Sequence, residues 1–113
     1  PYQHYELAEQ AAHARNDFLI ATDQFNHDDP TASGDTYWEQ LVALGATTWL
    51  TAGENLAGTL NARDPLGLAL QGLMASPTHR ANILAPDFTH MGSWAGMRPN
   101  GWFLFTFIFV GLP

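Results

Sequence analysis

The chain has 113 residues, the length of one domain rather than two. Four arginines and no lysine face eleven acids. The net charge of −7 excludes the phosphate-neutralising surface of a nucleic-acid binder and opposes attraction to anionic membranes. Without cysteine, neither a disulfide framework nor a cysteine-zinc site can form.

No targeting segment is visible, and the start at Pro1 rather than Met leaves room for a removed leader or N-terminal segment. Leu7, Ala11, Ala14, Phe18, Ala21 and Phe25 recur at steps of four and three, the pattern of one helix face over roughly residues 5–23. "DDPTASGD" at 28–35 is a loop by composition. Its acids are too irregularly placed for an EF-hand calcium loop. Thr36 and Glu39 have the spacing of a capping box, opening a helix that carries Trp38, Leu41 and Val42 inward and stops near Gly45.

Residues 47–60 mix β-branched and aromatic residues with Gly53, Asn55 and Gly58, which predicts a short irregular strand or an extended loop. Asp64-Pro65 reads as a helix start, with Leu66, Leu70, Leu73 and Met74 carrying the helix to Ala75. Ser76-Pro77 repeats the signal for a short helix to Leu84, ended by Pro86. His90 to Met97 and "WFLFTFIFV" flank the turn "RPNG" and read as a strand pair. In the last strand Trp102, Leu104, Thr106, Ile108 and Val110 alternate with four phenylalanines, so both of its faces are apolar and both must be covered. The run is too short to cross a bilayer as a helix, and no transmembrane segment is expected. The fold class that follows is α+β, a small antiparallel sheet between helical layers.

Glu54 sits in "TAGENLAGTL" among small and apolar residues. A carboxylate in such company is a turn residue, hydrogen-bonded to backbone or to Arg80, or a buried acid whose partner comes from elsewhere in the chain. The histidines are His4, His13, His27, His79 and His90, and none forms a local metal signature. His4 and His13 fall on the first helix off its apolar stripe and are expected in solvent. His90 begins a strand. His27 follows a helix end, where interaction with the dipole explains it. His79 is third in its helix, where the dipole favours the neutral imidazole that a metal site or a general base requires, or where it simply hydrogen-bonds nearby backbone. Arg80 can tie carboxylates or loop carbonyls, and Asn82 can satisfy loop backbone.

Taken together, "FNH" at 25–27, "AGENLA" at 52–57, "SPTHRANIL" at 76–84 and "FTHMG" at 88–92, followed by a hydrophobic final strand, resemble the bacterial branch of the CAP superfamily. This superfamily, also called SCP-like, includes cysteine-rich secretory proteins, antigen 5 and plant pathogenesis-related proteins. The resemblance implies an α-β-α sandwich, residues 1–113 forming a single CAP domain that lacks the family's first helix, and a secreted location, extracellular or at the cell surface. It also implies a central cleft lined by two histidines and two glutamates, in which the histidines of several members bind zinc or another divalent ion. Carried over by motif, the cleft residues are His27, Glu54 and His79, with Arg80 and Asn82 beside them and His27 and His79 as the metal ligands. The family's second glutamate has no counterpart, since "DPLGLALQGLMA" holds no acid after Asp64.

Three functions stay open at this stage. The first is a secreted, non-enzymatic module that binds a lipid, sterol, glycan or protein and requires no cofactor. The second is a metal-dependent hydrolase with Glu54 as the catalytic base. The third is a hydrogen-bonded knot of Glu54, His27 and His79 that pins loops together. The oligomeric state is open as well.

Overall fold

A computed structural model of the chain describes residues 2–22, 25 and 36–113. His27 and the acidic loop at 28–35 lie outside the described residues. In chain order the elements are β1 (Gln3–His4), α1 (Glu6–Thr22), α2 (Tyr37–Ala43), β2 (Thr51–Leu60), α3 (Pro65–Ala75), α4 (Pro77–Leu84), β3 (His90–Met97) and β4 (Trp102–Gly111). The sheet order is β1-β3-β4-β2. β4 pairs antiparallel with β2 and β3, while β1 adds two residues in parallel to β3. The expected antiparallel sheet is therefore mixed, because of an edge strand too short to leave a periodic pattern.

β4 is the centre of the molecule, and residues 104–111 are all buried. Ile108 and Val110 pack against Ala8, Ala11, Ala12 and Leu41 of α1 and α2. On the opposite face Phe105, Phe107 and Phe109 pack against Ala69 and Leu73 of α3. Each phenylalanine so buried contributes about 1.5–3 kcal/mol. The expected alternation is found, and both faces are covered from Leu104 onward, whereas Trp102 and Phe103 at the hairpin end are exposed.

Local signals explain most boundaries. Asp64 Oδ1 accepts from the Gly67 amide at 3.0 Å, and Pro65 opens α3. Thr36 Oγ1 accepts from the Glu39 amide at 3.3 Å and donates to Glu39 Oε1 at 2.8 Å, which caps α2. In the β3–β4 hairpin the Gly101 amide reaches Arg98 O at 2.9 Å and the Arg98 amide reaches Trp102 O at 2.8 Å, with Gly101 at φ +95°. β2 differs from expectation: it is a regular ten-residue strand, paired with β4 over its whole length.

Two helix faces also differ. The buried stripe of α1 is Ala8, Ala11, Ala12, Arg15, Asn16 and Leu19, while Leu7, Ala14 and Phe18 are half-buried and Ala21 and Phe25 exposed. The face is rotated because two polar residues are buried on it. In α2 only Leu41 is buried; Trp38 and Val42 are exposed. Among the described residues no helix is long and apolar enough to cross a membrane.

Candidate functional site

Glu54 lies on β2 opposite Ile108, so its side chain shares the α1 face of the sheet. There Arg15 Nε donates to Glu54 Oε2 at 3.0 Å and Arg15 Nη2 donates to Oε1 at 3.3 Å. Both side chains are 0% exposed. Glu54 is thus the buried acid with a distant partner, and the arginine that meets it is Arg15 on α1 rather than Arg80, which is exposed on α4. The two-pronged contact is the fork geometry that arginine makes with carboxylates. Beside the pair, burial and then the Glu54 charge hold the Tyr37 hydroxyl above the ordinary phenol pKa. Asn16, one residue on, donates to Leu104 O at 3.0 Å and to Thr106 Oγ1 at 3.1 Å, which fixes α1 on β4.

The other face of β2 meets α3 and α4. Asn55 Nδ2 donates to His79 O at 3.0 Å, and Asn82 Nδ2 donates to Asn55 Oδ1 at 2.9 Å and to Glu54 O at 3.4 Å. These amides dock α4 on the strand. His79 is half-buried, with Nδ1 3.0 Å from Ser76 Oγ, a contact that sets the orientation of the ring. Glu54 and His79 are therefore linked through Asn55 and Asn82, while the Glu54 carboxylate is engaged by Arg15 on the α1 side.

His79 stands in the wall of a cleft of about 420 Å³ between β2 and α3, lined also by Ala57, Gly58, Leu68, Gly72 and Ser76. A second cleft of about 350 Å³ runs along the other flank of α3, over Phe105 and Phe107 and beside Leu66 and Trp94. α3 has no charged residue and buries only Ala69 and Leu73. Leu66 and Leu68 are 49% exposed, and Leu70 and Met74 40%. An uncharged helix thus sits over a phenylalanine floor with apolar clefts on both sides.

The chain also carries a His/Glu cluster able to chelate a metal, at a place that the sequence reading missed. His4 is on β1, not on the first helix. Its Nε2 lies 3.3 Å from Glu6 Oε2 and 3.9 Å from Glu9 Oε2. Among the described residues this is the one group of three donor side chains that converges, with one ligand atom from each within 4.8 Å of the others. The signal was the spacing H-x-E-x-x-E at the mouth of a helix. His4 and Gln10 hydrogen bonds hold the Glu6 carboxyl below the ordinary carboxylate range. His13 is exposed on α1 as expected, stacked on Trp94 at 3.9 Å between ring centroids and 3.1 Å from Asp17 Oδ2. His90 is half-buried, edge-on to Tyr5 at 6.0 Å.

The sequence model of the cysteine-rich secretory protein family, CAP, matches residues 5–111. The chain is 30% identical over 92 residues to the uncharacterized protein YkwD of Bacillus subtilis (strain 168), covering 81% of this chain and 34% of that protein. It thus spans about a third of the length of that curated relative. Among solved structures, an outer surface protein of Borrelia burgdorferi superposes with a TM-score of 0.83 at 15% identity, over 99% of this chain and 78% of the other. At that identity the likeness is one of fold. An extracellular protein containing an SCP domain from Bacillus anthracis str. Ames superposes with a TM-score of 0.73 at 25% identity, over 95% of this chain and 33% of that one.

Proposed function

The chain belongs to the cysteine-rich secretory protein (CAP) family, and from that premise we propose that it is an extracellular or cell-surface binding module that takes an apolar ligand, a lipid chain or sterol, in the groove between β2 and α3. The observation that carries this reading is α3 itself. Four large apolar side chains of one uncharged helix are exposed, beside a cleft of about 420 Å³. Ligand pockets fall at about 300–1,000 Å³ and are lined mostly by apolar groups with a few polar ones. His79, Ser76 and Thr59 are the polar residues in this wall. The extracellular description of the Bacillus anthracis relative supports the location.

In this reading Glu54 has a structural role. Its two oxygens are met by Arg15, with no exposure of either side chain, which supports structure over hydrolysis. A divalent ion in the family's cleft would be held by His27 and His79, the Ser76 contact orienting the latter, and would supply Lewis acidity there. The binding proposal is tested by titrating the folded chain with a fluorescent long-chain fatty acid and a fluorescent sterol. Saturable one-to-one binding is expected for at least one of them. Uptake that never saturates, or that appears only once the protein is unfolded, overturns it.

A further inference from the structure

We propose that His4, Glu6 and Glu9 form a binding site for a divalent transition-metal ion at the junction of β1, α1 and β3, separate from the groove beside His79. Tetrahedral zinc with bonds of about 2.0–2.1 Å holds neighbouring donor atoms about 3.3 Å apart. The His4 Nε2–Glu6 Oε2 separation is 3.3 Å and the His4 Nε2–Glu9 Oε2 separation is 3.9 Å. The donors already stand at about the spacing of a coordination sphere, and only Glu9 needs to close in.

The backbone holds them there. His4 is fixed in the ladder with β3, where the Gln3 amide donates to Thr89 O at 3.1 Å and the Tyr5 amide donates to Met91 O at 3.0 Å. Glu6 and Glu9 stand on the first turn of the seventeen-residue α1. Gly92 lets that turn lie directly on β3, since a Cβ there would overlap the Glu9 backbone. A cavity of about 170 Å³, lined by His4 and Glu9 with Gln3, Gly92 and Ser93, adjoins the donors and has room for the water ligands that complete a shell.

Acids in a first helical turn complement the macrodipole without any metal. The dipole does not account for His4, two residues ahead of Glu6 on β1, with one nitrogen 3.3 Å and 3.9 Å from the two carboxylates. One imidazole with two carboxylates suits zinc, copper(II) or nickel. Calcium takes six to eight oxygens and magnesium a near-ideal octahedron with several waters, so this set discriminates against both. The bound ion joins a two-residue strand to the helix that follows it and so pins the sheet edge.

The test is zinc titration of the full chain by calorimetry, with copper(II) as a paramagnetic probe in amide NMR spectra. One equivalent of zinc is expected to bind in the His27→Ala, His79→Ala background. Its affinity should fall about ten-fold or more on adding His4→Ala or Glu9→Gln. Copper should broaden the amides of Gln3, His4, Glu9 and Met91 first. All three donors are partly or largely exposed, so these substitutions leave the core intact. Zinc affinity unchanged by His4→Ala, broadening centred elsewhere, or no binding at millimolar zinc each overturns the proposal. Fatty-acid and sterol titrations report on the groove independently.

Discussion

Arg15 and Glu54, thirty-nine residues apart, meet through two hydrogen bonds in the buried layer between α1 and β2. The pair joins the first helix to the strand at one edge of the sheet. A buried charge left alone costs far more than an exposed one, because the interior cannot solvate it. Arg15→Ala is therefore expected to lower stability by about 3–5 kcal/mol, as read by urea denaturation. Glu54→Gln should also destabilise. Replacing both with apolar residues, Arg15→Met with Glu54→Leu, should recover most of the loss, since neither charge is then stranded. If Glu54→Gln leaves stability unchanged and instead alters ligand binding, the structural assignment of Glu54 is wrong.

Gly72 offers a test of the groove that spares the core. It lines the cleft on the inner part of α3, and a Cβ added there meets nothing within 4 Å. Glycine inside a helix costs about 0.5–1 kcal/mol relative to alanine, so Gly72→Ala should raise stability by that amount and leave binding intact. Gly72→Phe places a ring in the groove and should weaken fatty-acid or sterol binding about ten-fold, the equivalent of losing roughly two buried methylenes. Unaltered binding in the phenylalanine variant would show that the ligand sits elsewhere.

Tyr2 and Tyr37 make stability fall in alkali. Burial holds the Tyr2 hydroxyl above its ordinary value of 10.0, and burial together with the Glu54 charge does the same for Tyr37. The Tyr2 hydroxyl is shared between the Asn82 and Ile83 carbonyls, and that of Tyr37 donates to Ala52 O at 3.3 Å. Phenolate cannot donate these bonds. A group with a raised folded-state pKa contributes its full stabilisation below the unfolded value and loses it as pH climbs through the folded value. Melting temperature should thus decline above pH 10 more steeply in the parent chain than in the Tyr2→Phe, Tyr37→Phe variant. Equal slopes in the two proteins would remove both tyrosines as the cause.

Much of this architecture was legible because local chemistry marks it. Asp64-Pro65, Ser76-Pro77 and the turn before Trp102 coincide with observed boundaries, and β4 shows its two faces by strict alternation. Tertiary context concealed the rest. Gly53 reads as a strand breaker, yet a side chain there would come within 2.8 Å of the Phe88 ring, so the glycine reflects close packing in a regular strand. Arg15 and Asn16 fall outside the apolar series of Leu7, Ala11, Ala14 and Phe18, but they share the buried 8-11-12-15-16-19 stripe with alanines and a leucine. Polar residues on a stripe of small ones are a recoverable sign of a buried partner. The motif at Ala52–Ala57 pointed to Glu54, and no spacing rule linked it to Arg15. His4 was missed because a two-residue strand has no period.

The strand order has a kinetic corollary. β2 and β3 both take their antiparallel partner from β4, which comes last in chain order. Without residues 102–111, β2 has no partner strand and β3 keeps only its two-residue pairing with β1. The β3–β4 hairpin can close at once around its tight turn, whereas β2 must wait and then dock across some forty intervening residues, a slower search. β2 also carries Glu54, so the docking of this strand brings the partner of Arg15 into the layer under α1.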